Sequence, residues 1–212
     1  MPHPHDQHRY QVRLEWGVEG LARLAPADII VVVDVLRFSS TVIDAVQGGD
    51  SIALDVDARA VSLNGAAVAD AAAATGAVVL LGALRNASAV AREVLAEQQR
   101  RGARTSVAII AAGERVSADS DAPVRFAVED QLGAGAIIDA LADLGIDHTS
   151  PEVAAACEAF RGLRGAVRHL LTASGSGQEL IDRGLRDDVL AAATVDAASA
   201  VPVLRDGKFV AA

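Results

Sequence analysis

Five consecutive β-branched residues, Ile29-Ile30-Val31-Val32-Val33, constrain this chain more than any other feature in it. No polar position interrupts the run, which fits a strand buried on both faces, and such strands belong to parallel sheets covered by helices on either side. At about 1.5–3 kcal/mol per fully buried side chain, the run would contribute on the order of 10 kcal/mol before chain entropy is subtracted. The sequence around it keeps the matching rhythm. Val42, Ala45 and Val46 recur at helical spacing and stop at Gly48-Gly49. A short strand is predicted over Ser51 to Val56 and an Ala-rich helix from about Asn64 to Ala74. Val78 to Leu81 and Ser106 to Ile110 read as further buried strands. Between them a helix opens at Asn86, turns Val90, Val94 and Leu95 inward, pairs Glu97 with Arg101 and ends at Gly102. Val128, Leu132, Ile138 and Leu141 mark another helix, ending near Gly145.

This alternation predicts an α/β fold with a mostly parallel sheet flanked by helices. Tyr10 to Leu14 alternates like a half-exposed strand; residues from Ser150 to about Leu190 read as helical; Val201 to Val210 reads as a terminal β-hairpin turning at Asp206-Gly207. No repeat or long linker divides the 212 residues. One α/β domain is expected over residues 10–212, with a helical C-terminal portion over 150–212. Residues 1–9, which carry His3, His5 and His8 among prolines, are expected to be a mobile tail.

Composition narrows the function. Nineteen Lys+Arg against 28 Asp+Glu give a net charge of −9, the wrong sign for nucleic acid, which needs a concentrated basic face. Aromatic residues, at 3%, leave few platforms for base stacking. No stretch approaches the roughly 20 apolar residues of a membrane span. No signal peptide is read ahead of the first polar residues, and Cys157 has no second cysteine to pair with. The expectation is a cytoplasmic protein acting on a small anion, without nucleic acid or membrane, and with self-association into a homo-oligomer left open.

In an open parallel α/β sheet, ligands sit beyond the carboxyl ends of the strands. The first buried strand delivers Asp34, then Arg37, then Ser39-Ser40-Thr41 at a helix start. That order suits a phosphate-like anion, with hydroxyls and helix N–H groups donating, Arg37 forking onto oxygens and Asp34 holding a cation. The plainer reading is a helix cap beside a surface ion pair. Arg85 and Asn86 repeat the theme after the next strand, where Asn86 is equally a simple cap, and Asn64-Gly65 opens a helix. Glu114 falls on the same rim, and Glu129-Asp130 opens the helix that contains Gly133 and Gly135. Glycines inside a helix cost about 1 kcal/mol each relative to Ala, so close backbone approach is expected there. Several carboxylates on one rim repel one another unless a cation intervenes, and an all-oxygen set without His or Cys points to Mg²⁺. Ser174-Gly175-Ser176-Gly177 reads as a loop into a helix, open to an anion-cradling role.

The stretches VVVDVLRFSSTVIDAV (31–46), LNGAAVADAAAATGAVVLLGALRNASAVA (63–91), IIAAGER (109–115) and VEDQLGAGAII (128–138) resemble the 2-phosphosulfolactate phosphatase family. The resemblance implies Mg²⁺-dependent hydrolysis of 2-phospho-3-sulfolactate to 3-sulfolactate and phosphate, a step towards coenzyme M. It also implies a site drawn from Asp34, Arg37, Asn64, Gly65, Arg85, Asn86, Glu114, Glu129 and Asp130. On that basis Asp34, Glu129 and Asp130 are expected to hold Mg²⁺. Arg37, Arg85 and the Ser39–Thr41 helix start would clamp the phosphoryl group, with Glu114 acting on the attacking water; attack by Asp34 itself stays open. The chain departs from the family pattern where Asp55 to Val61 runs almost directly into Ser62-Leu63-Asn64-Gly65, a stretch that is longer in other members. The alternative is therefore a non-catalytic or differently specific relative that keeps an anion pocket.

Overall fold

The computed structural model describes residues 3–54, 63–116 and 122–212. Ile29–Val33 forms strand β2, buried at every position. It lies between two parallel neighbours, β5 (Val107–Ala111) and β4 (Val78–Gly82), with β1 (Val12–Trp16) parallel to β5 at the edge. Beyond β4 the sheet turns antiparallel through β8 (Pro202–Arg205) and β9 (Lys208–Ala211), the expected terminal hairpin, and ends at β3 (Ile52–Ala53). The strand order is thus β1-β5-β2-β4-β8-β9-β3. Of the strand predicted over Ser51 to Val56, only Ile52–Ala53 is seen; Asp55 and Val56, like the shortened stretch up to Ser62, lie outside the described residues.

Alternation along β2 builds a core on each face. Ile29, Val31 and Val33 point to one side, where they meet α4 (Ala87–Arg101), α5 (Val128–Asp143) and α6 (Pro151–Leu163). Ile30 and Val32 point to the other, where they meet α2 (Phe38–Gln47) and α3 (Leu63–Ala73), with α1 (Gly17–Arg23) packed beside them. The expected helical stretch after Ser150 continues from α6 through α7 (Val167–Ala173), α8 (Gly175–Asp182) and α9 (Arg186–Ala192). Two elements had no sequence signal: α1, and a small hairpin of β6 (Glu114–Arg115) with β7 (Val124–Arg125).

Of the segment expected as a tail, Gln7 is buried, and its side-chain amide exchanges hydrogen bonds with the backbone of Leu14 at 2.9 and 3.1 Å. It gives edge strand β1 part of the pairing a further strand would supply. Among the described residues, no helix is long and apolar enough to cross a membrane.

The glycines inside α5 answer to packing. A Cβ on Gly133 would stand 2.6 Å from Val35, and one on Gly135 would stand 2.7 Å from Phe160 Cβ while colliding with the carbonyl of Ala156. The close approach expected there is that of the β2 turn on one side and α6 on the other.

Candidate active site

Strands β2 and β5 are neighbours, yet the chain leaves β2 towards α2 on one face and β5 towards α5 on the other. Their loops diverge, and the crevice between such strand ends is where α/β sheets place ligands. Asp34 follows β2 immediately; Gly113 and Glu114 follow β5.

Asp34 is only 4% exposed. Its Oδ1 accepts the N–H of Phe38, the first residue of α2, at 3.1 Å, and its Oδ2 accepts the N–H of Gly65 near the start of α3 at 3.0 Å. Two helix N-termini, both carrying positive partial charge, thus converge on one carboxylate. Ser39 closes the turn from below: its hydroxyl accepts the N–H of Asp34 and its own N–H donates to the Asp34 carbonyl.

Asp130 joins the loops of the two strands. Its Oδ1 accepts the N–H of Val35 at 2.8 Å and its Oδ2 that of Gly113 at 2.9 Å. Burial, and then the charges of Asp34 and Glu129, push its carboxyl well above the ordinary carboxylate range, against the pull of those two N–H donors. Asp130 was expected to ligate an ion; like Asp34, it accepts one backbone N–H at each oxygen, and from the first turn of α5 it holds the β2 and β5 turns together.

Glu129 and Glu114 converge on Ser176. The Ser176 hydroxyl lies 2.5 Å from Glu129 Oε1 and 2.7 Å from Glu114 Oε2. A hydroxyl carries one proton and can donate to only one of them. Two carboxylates therefore share a single hydroxyl. Ser176 sits in the first turn of α8, whose cap is Ser174, accepting the N–H of Gly177. The Ser174–Gly177 stretch thus reaches the site through this hydroxyl, which faces the two carboxylates. Arg125, opposite Glu114 in the β6–β7 register, brings its guanidinium against Gly175. No sequence signal pointed to Arg125, since the hairpin that carries it was not foreseen.

The arginines occupy a different cavity. Arg37, Ser40, Thr41 and Arg85 line a space of about 220 Å³ together with Asp44 and Asp188. Arg37 is held by Asp188 at 3.2 Å and Arg85 by Asp44 at 2.6 Å. The Asp34–Arg37 turn links the two places, with the acid cluster at its start and the arginine cavity at its end. None of Asp34, Glu114, Glu129 and Asp130 lines that cavity. Asp188 lies 151 residues from Arg37, a separation at which sequence offers no pairing signal.

Two expected substrate contacts are engaged within the protein. Asn86 is fully buried: its amide donates to the carbonyls of Leu81 and Ala200, and its oxygen accepts the N–H of Ala83. Ser39 is equally buried in the β2 turn. Each holds backbone that would otherwise be left unsatisfied. Asn64 lines a small cavity of about 20 Å³ with Glu19 and Arg115, apart from Arg37 and Arg85.

Among the described residues, no three His, Cys, Asp or Glu are grouped so as to hold a metal ion by themselves. Mg²⁺, however, commonly takes only one or two carboxylates and fills its octahedron with waters and phosphate oxygens. Glu114, Glu129 and Ser176 present only oxygen atoms, the ligand type that ion takes.

A family model described as 2-phosphosulpholactate phosphatase matches residues 60–207. The match includes Arg85, Glu114, Glu129, Ser176 and Asp188; the Asp34–Thr41 turn precedes it. A curated protein of Symbiobacterium thermophilum, "Probable 2-phosphosulfolactate phosphatase", is 33% identical over 135 residues, covering 62% of this chain and 51% of that protein. The aligned part spans about half the length of that relative.

Proposed function

We propose, proceeding from the fact that this chain belongs to the 2-phosphosulpholactate phosphatase family, that it hydrolyses a small anionic phosphate ester. The substrate is 2-phospho-3-sulfolactate and the reaction requires Mg²⁺. The observation that carries this reading is the convergence of Glu114 and Glu129 on Ser176 at the carboxyl end of β5. A cationic cavity lined by Arg37 and Arg85 lies at the far end of the Asp34–Arg37 turn.

Glu129 and Asp34 would hold Mg²⁺, which when bound neutralises phosphoryl charge and lowers the pKa of water. Glu114 takes the proton from the attacking water, and Ser176 fixes its carboxylate against Glu129. Arg37 and Arg85 bind the oxyanion groups of the substrate through guanidinium N–H donors, stabilising charge as it shifts in the transition state. Asp130 and Asn86 keep the loops carrying these groups in place.

The test is phosphate release from 2-phosphosulfolactate and from a panel of phosphate esters, with Mg²⁺ and with chelator. Release from the sulfolactate ester that chelator abolishes and Mg²⁺ restores is the expected result. Silence across the whole panel from folded protein removes the enzyme reading and leaves an anion-binding relative.

A further inference from the structure

Each arginine of the 220 Å³ cavity is paired with a carboxylate more exposed than itself. The Arg85 side chain is 12% exposed against 57% for Asp44, and Arg37 is 36% exposed against 51% for Asp188. Both pairs use a single Nη1 donor, whereas a guanidinium offers a fork that matches an oxyanion at two oxygens. Arg85 Nε is buried and has no hydrogen-bond partner among the described residues. A largely buried side chain with a spare donor is poorly satisfied by one oxygen of an exposed aspartate. An ion pair with so exposed a partner is screened by solvent, so exchanging it for a better-fitting oxyanion costs little.

We propose that Asp44 and Asp188 are displaceable counter-ions of an oxyanion subsite, and that they set its selectivity. The inference rests on the phosphatase reading for what the subsite serves. Its occupant is a tetrahedral oxyanion of the substrate, phosphoryl or sulfonate. In the free protein the two aspartates balance the arginines. On binding they swing out to solvent, and the oxyanion takes the forks they leave. Because they remain nearby and compete, the cavity holds any single small oxyanion weakly, which favours ligands with several anchoring groups and eases release of product phosphate.

Calorimetric titration of the full chain with inorganic phosphate and, separately, with methanesulfonate tests this without turnover. Asp44→Asn and Asp188→Asn should each tighten binding of at least one probe about fivefold or more, and the double variant should tighten it further. The probe that gains more identifies the group the subsite receives. Adding Arg85→Met to Asp44→Asn should erase the gain. Unchanged or weaker binding of both probes in both single variants, with wild-type circular dichroism, overturns the inference. So does a gain that survives Arg85→Met, since the anion then binds elsewhere. A catalytically silent protein whose variants still tighten sinks the phosphatase reading alone; an active enzyme whose variants do not tighten sinks the counter-ion role alone.

Discussion

Asp34 and Gly65 meet so closely that the second has no room for a side chain. The Gly65 N–H donates to Asp34 Oδ2 at 3.0 Å, and a Cβ on Gly65 would stand 2.8 Å from Asp34 Cβ. This contact seats the N-terminus of α3 on the turn that begins the site. Gly65→Ala would gain up to about 1 kcal/mol of helix propensity, yet overpacking costs about 1–3 kcal/mol and forces the carboxylate aside. The expected outcome is a lower urea midpoint together with loss of phosphate release.

Asp130 joins two loops through two acceptor oxygens, so its amide isostere is not equivalent. Asn supplies one acceptor and turns an NH₂ towards the other N–H, that of Val35 or of Gly113. Asp130→Asn is expected to destabilise the protein by about 1–3 kcal/mol, the cost of an unsatisfied buried donor. Equilibrium urea unfolding reads this directly. An unchanged midpoint would show that the clamp is dispensable.

Ser176 touches both glutamates but lies near the start of a short helix, and its removal leaves the core intact. Ser176→Ala should keep the wild-type melting temperature to within a few degrees while lowering kcat for phosphate release by about 10- to 100-fold, the scale of a misplaced catalytic group. Ser176→Thr, which keeps the hydroxyl, should recover much of the loss. Equal kcat in serine and alanine forms would remove Ser176 from the site.

Asp28 couples the starts of β2 and β5. Its Oδ2 accepts both the hydroxyl and the N–H of Ser106, at 2.7 and 2.8 Å, and its Oδ1 meets Arg101 at 2.9 Å. The Ser106 hydroxyl, foremost, holds its carboxyl below the ordinary value of 3.8. A depressed carboxylate contributes stability above its unfolded pKa and loses it as pH falls through the folded one. Asp28→Asn should therefore flatten the fall in melting temperature between about pH 5 and pH 3. A wild-type acid limb in the variant would rule out the contribution.

The layered architecture was legible in the sequence because it follows from local pattern. An uninterrupted β-branched run fits burial on both sides, and helical spacing between such runs covers it, so β2, β4, β5 and the helices among them could be read to within a residue or so at their ends. The carboxyl-end rim was legible for the same reason, since strand ends fix where Asp34, Arg37 and Glu114 emerge. What the residues on that rim face was decided by tertiary structure. Asp130 and Glu129 are adjacent in sequence, yet one turns inward to the Val35 and Gly113 N–H groups while the other meets Ser176. Arg37 and Arg85 answer to Asp188 and Asp44, partners set by how α9 and α2 pack. Hydrophobic periodicity acts along the chain and survives without knowing the neighbours. A polar side chain takes its role from whichever donors and charges folding brings within hydrogen-bond reach, and here several of those come from elements far away in sequence.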